Sequence, residues 1–144
     1  MILYLDTSAL IKAYVTEEGT TEVLAAIRRV DAVASHLIAF VEANAAFSRL
    51  SRENVLTEKQ CHAVRSEFLN DWGNYVQVGL NQSILQRAAD LAGGFALRAY
   101  DSVHLAAADL LLKQGGDGVL FACFDRRLNQ AAKVLGLPLI ADRQ

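Results

Sequence analysis

Residues 1–10 read MILYLDTSAL, and the way this decapeptide divides decides the fold. Ile2, Leu3, Tyr4 and Leu5 form a continuous apolar run of the length and composition expected for a strand buried on both faces, the mark of a parallel sheet. Asp6 stops that run, and the following TSALIKAY has helical composition. Burying an unpartnered carboxylate costs several kcal/mol, so an acid aimed off the end of the first core strand needs a physical reason.

Outward from this stretch, short apolar runs alternate with longer helical segments, as in a parallel sheet covered by helices on both faces. ILYL, AVA, YVQVGL, VLFACF and PLI are the expected strands, giving an α/β fold with a central parallel five-stranded sheet. Helices are expected in EGTTEVLAAIRRV, in LIAFVEANAAFS, in TEKQCHAVRSEFLNDW behind a Thr57 N-cap, in DSVHLAAADLLLKQ and in DRRLNQAAKVLG. SILQRAADLAGGFAL is expected to be helical until Gly93 and Gly94 interrupt it. With 144 residues, 53% of them hydrophobic, and one proline, the chain suits a single domain over residues 1–144.

A formal net charge of −2 provides no global basic field, so a nucleic acid partner would be held by a local patch. No apolar stretch approaches the ~18 residues of a membrane span, and no basic segment with an apolar leader opens the chain. A cytoplasmic protein without membrane contact is the expectation. Cys61 and Cys123 lack zinc-type spacing and sit in apolar or helical contexts, so both are expected as buried thiols.

Of the sixteen acids, most fall on polar helix faces. Four do not. Asp6 follows ILYL, Asp125 follows VLFACF, Asp101 opens DSVHLAAADLL, and Glu42 is the only ionisable residue between Leu37 and Ser48. Each of the three aspartates stands where a helix begins, so N-capping is its local alternative. Glu42 lies mid-helix and requires a partner; Arg49, two turns on, does not reach it well, which leaves a salt bridge to another helix or a shared site. Ligands of open α/β sheets bind beyond the carboxyl ends of the strands, where Asp6 and Asp125 lie, and the face that Asp101 shares with Leu105 and Ala108 points over the sheet. Two carboxylates about 5 Å apart repel by roughly 3 kcal/mol at an effective dielectric of 20, so four converging acids call for a cation. All-oxygen ligands favour Mg²⁺ or Mn²⁺.

At these residues the sequence resembles the PIN-domain ribonucleases, in particular the VapC-type toxins of toxin–antitoxin pairs. YLDTSALIKAY resembles the opening motif, with Asp6 as first acid and Thr7 and Ser8 as supporting hydroxyls. SHLIAFVEANAAFSRL resembles the second, with Glu42; LRAYDSVHLAAA the third, with Asp101; and FACFDRRL the last, with Asp125. The resemblance spans essentially the whole chain. One departure is Cys123, where the family often carries a hydroxyl two residues before the final acid.

The resemblance implies a PIN-like three-layer fold and a Mg²⁺- or Mn²⁺-dependent endoribonuclease, with Asp6, Glu42, Asp101 and Asp125 as catalytic and metal-binding residues. It also implies an RNA substrate offering a single-stranded loop and a cognate antitoxin whose basic side chain enters the acidic site. Lys12, Arg49, Arg98, Arg126 and Arg127 lie in or near the motifs as candidate phosphate contacts, with a solvated-face role as the alternative for each. Phe40, Phe47 and Leu50, with the FLNDW segment, suggest a homodimer face, with core burial as the alternative.

Three other readings compete. A catalytically silent PIN-fold binding module would act through dimer or antitoxin contacts. A phosphoacceptor receiver domain would place its aspartate after the middle strand, where this chain has Gly79, Leu80 and Asn81. A Ser8–His104–Asp101 triad is disfavoured, because no GxSxG elbow is present and Asp101 and His104 fall on adjoining helix positions.

Overall fold

The computed structural model describes residues 1–143. Four parallel strands, β1 (Ile2–Leu5), β2 (Ala32–His36), β3 (Val76–Val78) and β4 (Val119–Ala122), form a sheet in the order β3-β2-β1-β4. Along β1 the side chains alternate as the pleat demands. Leu3 and Leu5 enter one apolar core with Leu120 and Ala122 of β4, while Tyr4 enters the other with Phe121. Both faces are therefore dry, which is why ILYL and VLFA lack charged residues.

The first core is covered by α1 (Thr7–Tyr14), α2 (Thr20–Ile27), α3 (Ile38–Arg52) and α4 (Glu58–Trp72). The second is covered by α5 (Gln82–Phe95), α6 (Ala99–Lys113) and α7 (Arg126–Val134). This is the expected three-layer α/β arrangement. Local chemistry sets several boundaries: Thr57 caps α4 in a reciprocal capping box with Gln60, and Asn81 caps α5 by accepting from the Ile84 amide.

Two elements differ from the sequence expectation. The fifth strand is reduced to a single parallel bridge between Phe121 and Leu139 beside β4, after which the chain turns into a 3-10 helix over Ile140–Arg143. Pro138 has no N–H to give the ladder; only its carbonyl is used, accepting from the Phe121 amide. The other difference is α5, which runs through Gly93 and Gly94 to Phe95 and stops at Ala96 in the left-handed region. The cost of about 1 kcal/mol per glycine is offset by burial of Ile84, Ala88 and Leu91 and by packing of Phe95 against the same core.

Of the apolar residues assigned to a homodimer face, all but Leu69, which is exposed, pack within the chain. Phe47 and Phe68 are buried, Phe68 packs against Phe40 and Trp72, and Leu50 joins the same core. Cys61 and Cys123 are buried free thiols. Among the described residues no helix is long and apolar enough to cross a membrane.

Candidate active site

β1 and β4 are neighbours in register, Leu5 opposite Ala122, and the Asp6 amide continues the ladder to the Ala122 carbonyl. The connections from β1 run toward β2 and β3, whereas β4 lies on the other side of β1. The crevice beyond the carboxyl ends of β1 and β4 is thus the switch point of the sheet, where such folds bind ligands. Asp6 and Asp125 stand at its two sides, each capping the helix that follows.

Asp6 is 4% exposed. Its Oδ1 accepts from the Ala9 amide at 2.9 Å and from the Ser8 hydroxyl at 2.8 Å, so the side chain that caps α1 also lines the cavity described below. Burial pushes its carboxyl above the ordinary value, and the opposing influences of His104, the Ala9 amide, Ser8 and the Cys123 thiol do not cancel that rise. The thiol that replaces the usual hydroxyl at 123 donates to the Asp125 carbonyl at 3.7 Å. Its sulfur also accepts from the Asp125 amide at 3.2 Å, and burial keeps it protonated.

Asp125 Oδ1 accepts from the Leu128 amide at 2.8 Å. Asp101 is not a cap: Arg98 occupies that position, and Asp101 sits in the first turn of α6. Arg98 joins the two acids, with Nε 3.0 Å from Asp101 Oδ2 and Nη2 3.5 Å from Asp125 Oδ2. That guanidinium is 79% exposed and can be displaced.

Glu42 flanks the buried stripe of α3, Ala39, Ala43, Ala46 and Phe47, and Ala45 faces solvent. Arg49 is not its partner; of its two partners one, His104, lies on another helix, α6, as the sequence reading allowed. The Thr7 hydroxyl donates to Oε1 at 2.6 Å, and His104 Nε2 lies 3.0 Å from the same oxygen. Burial pushes the Glu42 carboxyl up, but these hydrogen bonds and the nearby imidazoles outweigh it and hold the group below its ordinary value. Arg49 instead faces Glu53 at 4.0 Å. Ser8 and His104 engage different acids, so no serine–histidine pair forms.

All four acids line one open cavity of about 620 Å³, together with Thr7, Ser8, His104, Arg49, Arg98, Tyr100 and Phe124. Arg126 and Arg127 line an adjoining depression that shares Arg98, Asp101 and Asp125 with it. Lys12 is placed differently from the sequence expectation. Its ammonium is 3.0 Å from Glu17 and 4.9 Å from the Phe124 ring centroid, beside the cavity. Among the described residues no three acid, histidine or cysteine side chains close on one point as a ligand shell. The donor set nonetheless fits a hard divalent cation: four carboxylates face one space, and Asp6 is buried against amide and hydroxyl donors, with no ion pair among the described residues.

The PIN domain family model matches residues 3–134. The chain belongs to the PIN-domain family. Ribonuclease VapC45 and Ribonuclease VapC49, from two strains of Mycobacterium tuberculosis, CDC 1551 / Oshkosh and ATCC 25618 / H37Rv, are each 34% identical to it over 135 residues, covering 94% of this chain and 92% of theirs. A toxin–antitoxin complex from Klebsiella pneumoniae contains a chain of the same fold, with a TM-score of 0.63 at 16% identity, covering 85% of this chain and 86% of that one. In this PIN domain the residue missed from sequence is His104. Its spacing from Asp101 suggested packing and hydrogen bonding, without naming a partner. The signal that finds it is Tyr4, a phenol in an otherwise aliphatic strand two residues before Asp6, whose hydroxyl needs a buried partner and meets the imidazole.

Proposed function

We propose that this PIN domain, read as one unit over residues 1–144, is a divalent-cation-dependent endoribonuclease that acts as the toxin of a toxin–antitoxin pair. The observation that carries the proposal is the convergence of Asp6, Glu42, Asp101 and Asp125 on one cavity at the switch point, with Asp6 buried and, among the described residues, in no ion pair within 4 Å. Mg²⁺ or Mn²⁺ bound there supplies polarisation of the scissile phosphate and a water of lowered pKa. The chain's own residues hold and orient. Asp6 is fixed by Ser8 and the Ala9 amide, and Glu42 by Thr7 and His104.

Arg49 and Arg98 are exposed on the cavity wall, and Arg126 and Arg127 continue the cationic surface into the adjoining depression. They are the phosphate contacts of this reading. Tyr100 and Phe124, 58% and 42% exposed on the same wall, are the aromatic side chains available to splayed bases, which favours single-stranded loops. The names of the two mycobacterial relatives support ribonuclease activity, and the Klebsiella complex supports an antitoxin partner. The seat of Arg98 between Asp101 and Asp125 supports entry of an antitoxin's basic side chain, because a guanidinium already fits there. A cytoplasmic location goes with a toxin that cuts cellular RNA. A homodimer would use Val41 and Leu69, 63% and 61% exposed on α3 and α4, rather than the buried aromatics.

The test is incubation of purified protein with structured RNA in Mg²⁺, in Mn²⁺ and in EDTA, alongside Asp101→Asn. Cleavage leaving a 5′-phosphate, lost in EDTA and in the variant, is expected. Cleavage that survives both, or RNA left intact in either metal, overturns the proposal, the latter in favour of a silent binding module.

A further inference from the structure

His104 helps to hold Glu42 in the proposed site, and its hydrogen bonding decides which oxygen of that acid stays free. His104 is 2% exposed and is bonded on both ring nitrogens: Nδ1 lies 2.8 Å from the Tyr4 hydroxyl, and Nε2 lies 3.0 Å from both Thr7 Oγ1 and Glu42 Oε1. The placement of hydrogens follows from the partners. Thr7 gives its only hydroxyl proton to Glu42 Oε1, at 2.6 Å, so its oxygen meets His104 as an acceptor. Glu42 Oε1 is an acceptor as well. Both contacts therefore require the hydrogen on Nε2, and in that tautomer Nδ1 accepts from Tyr4. Tyr4 is fully buried in β1, and with the ring hydrogen on Nε2 its hydroxyl donates to Nδ1.

We infer that His104, oriented from behind by Tyr4, is a positioning residue that saturates Glu42 Oε1 and leaves Oε2 as the oxygen offered to a divalent cation. Both donors, Thr7 and His104, fall on Oε1, and two donors on one carboxylate oxygen fix the rotation of the group. The same strand-to-helix segment supplies every element of the device except the acid and the imidazole: Tyr4 sits behind the ring, and Thr7 is the second donor on Oε1. Groups that orient a metal ligand from outside typically change metal affinity 10- to 100-fold when removed.

The inference rests on the metal-binding reading above, and the experiment separates the two. Mn²⁺ dissociation constants are measured by the loss of the free-ion EPR signal for wild type, His104→Ala, His104→Gln, Glu42→Gln and the His104→Ala/Glu42→Gln double variant. His104→Ala is expected to weaken Mn²⁺ binding about 10- to 100-fold. His104→Gln, which returns an N–H near the Nε2 position, is expected to recover most of that loss. In the Glu42→Gln background the alanine substitution is expected to add less than about twofold, because the oxygen it orients is no longer a carboxylate oxygen. A merely structural histidine would weaken binding equally in both backgrounds, and that result overturns the inference. So does wild-type affinity in His104→Ala. If that variant does not fold, Tyr4→Phe and Thr7→Val carry the same test through the same cycle. ¹⁵N spectra of the metal-free wild type are expected to show a hydrogen on His104 Nε2; a ring protonated at Nδ1 alone overturns the inference without touching the ribonuclease reading. Absence of Mn²⁺ binding to the wild type overturns both.

Discussion

Replacing Asp6 with asparagine is expected to make the metal-free protein more stable while removing its response to metal. The carboxylate is 4% exposed and receives hydrogen bonds from the Ser8 hydroxyl and the Ala9 amide. Asparagine Oδ1 keeps both bonds but loses their charge assistance, at about 1 kcal/mol each. Removing a buried, cation-free charge recovers a desolvation penalty of several kcal/mol. The net gain is about 2 kcal/mol, or roughly 4–8 °C in Tm for a chain of this length. The pH dependence has a definite sign. Burial raises the folded-state value above the ordinary 3.8, so Asp6 contributes stability below 3.8 that is lost as pH rises through the folded value. The gain from Asp6→Asn is therefore full at about pH 7 and vanishes near pH 3. Differential scanning calorimetry in EDTA and in Mn²⁺ reads both effects: wild type gains stability with Mn²⁺, and the variant does not. A variant less stable than wild type in EDTA, or equally protected by Mn²⁺, refutes the reasoning.

Glu42 behaves in the opposite sense: burial raises its carboxyl, the hydrogen bonds from His104 and Thr7 outweigh that rise, and its net position is below the ordinary 4.5. Its contribution is present above 4.5 and lost as pH falls through the folded value, so Thr7→Val is expected to unfold at higher pH than wild type in acid titration. Arg98→Ala frees Asp101 and Asp125 of the guanidinium that joins them; tighter Mn²⁺ binding with weaker RNA binding is expected by calorimetry and fluorescence anisotropy. Phe68→Ala empties the centre of the aromatic cluster formed with Tyr14, Phe40, Phe47, Trp72 and Tyr75 and is expected to cost about 3–5 kcal/mol by urea denaturation. The Tyr75 phenol, pushed up to about 12 chiefly by burial, is expected to ionise near that pH in an ultraviolet titration.

The sheet was legible because parallel strands buried on both faces lose their charged residues, as ILYL and VLFACF do. The acids were legible for the complementary reason: a charge at the boundary of such a strand has few inexpensive explanations. What escaped depends on contacts far apart in sequence. Glu42 and His104 are 62 residues apart, Tyr4 and His104 a hundred, and no periodicity within one helix reveals either pair. Lys12 reads as a free cation until Glu17 and Phe124 are seen around it. Gly93 and Gly94 carry a helix-breaking propensity that the packing of Leu91 and Phe95 overrides, and Phe40 and Phe47 resemble an interface until α4 folds over them. Capping and a place in the site also proved compatible at Asp6 and Asp125, where one carboxylate oxygen serves the helix.

The most direct test of the central claim is a crystal grown or soaked in Mn²⁺ and measured at the manganese absorption edge. Anomalous density in the cavity between Asp6 and Asp101, with Glu42 Oε2 turned toward it and Arg98 displaced, is the expected result. A cavity without anomalous density at Mn²⁺ concentrations that support RNA cleavage, with Arg98 still joining Asp101 to Asp125, would contradict it.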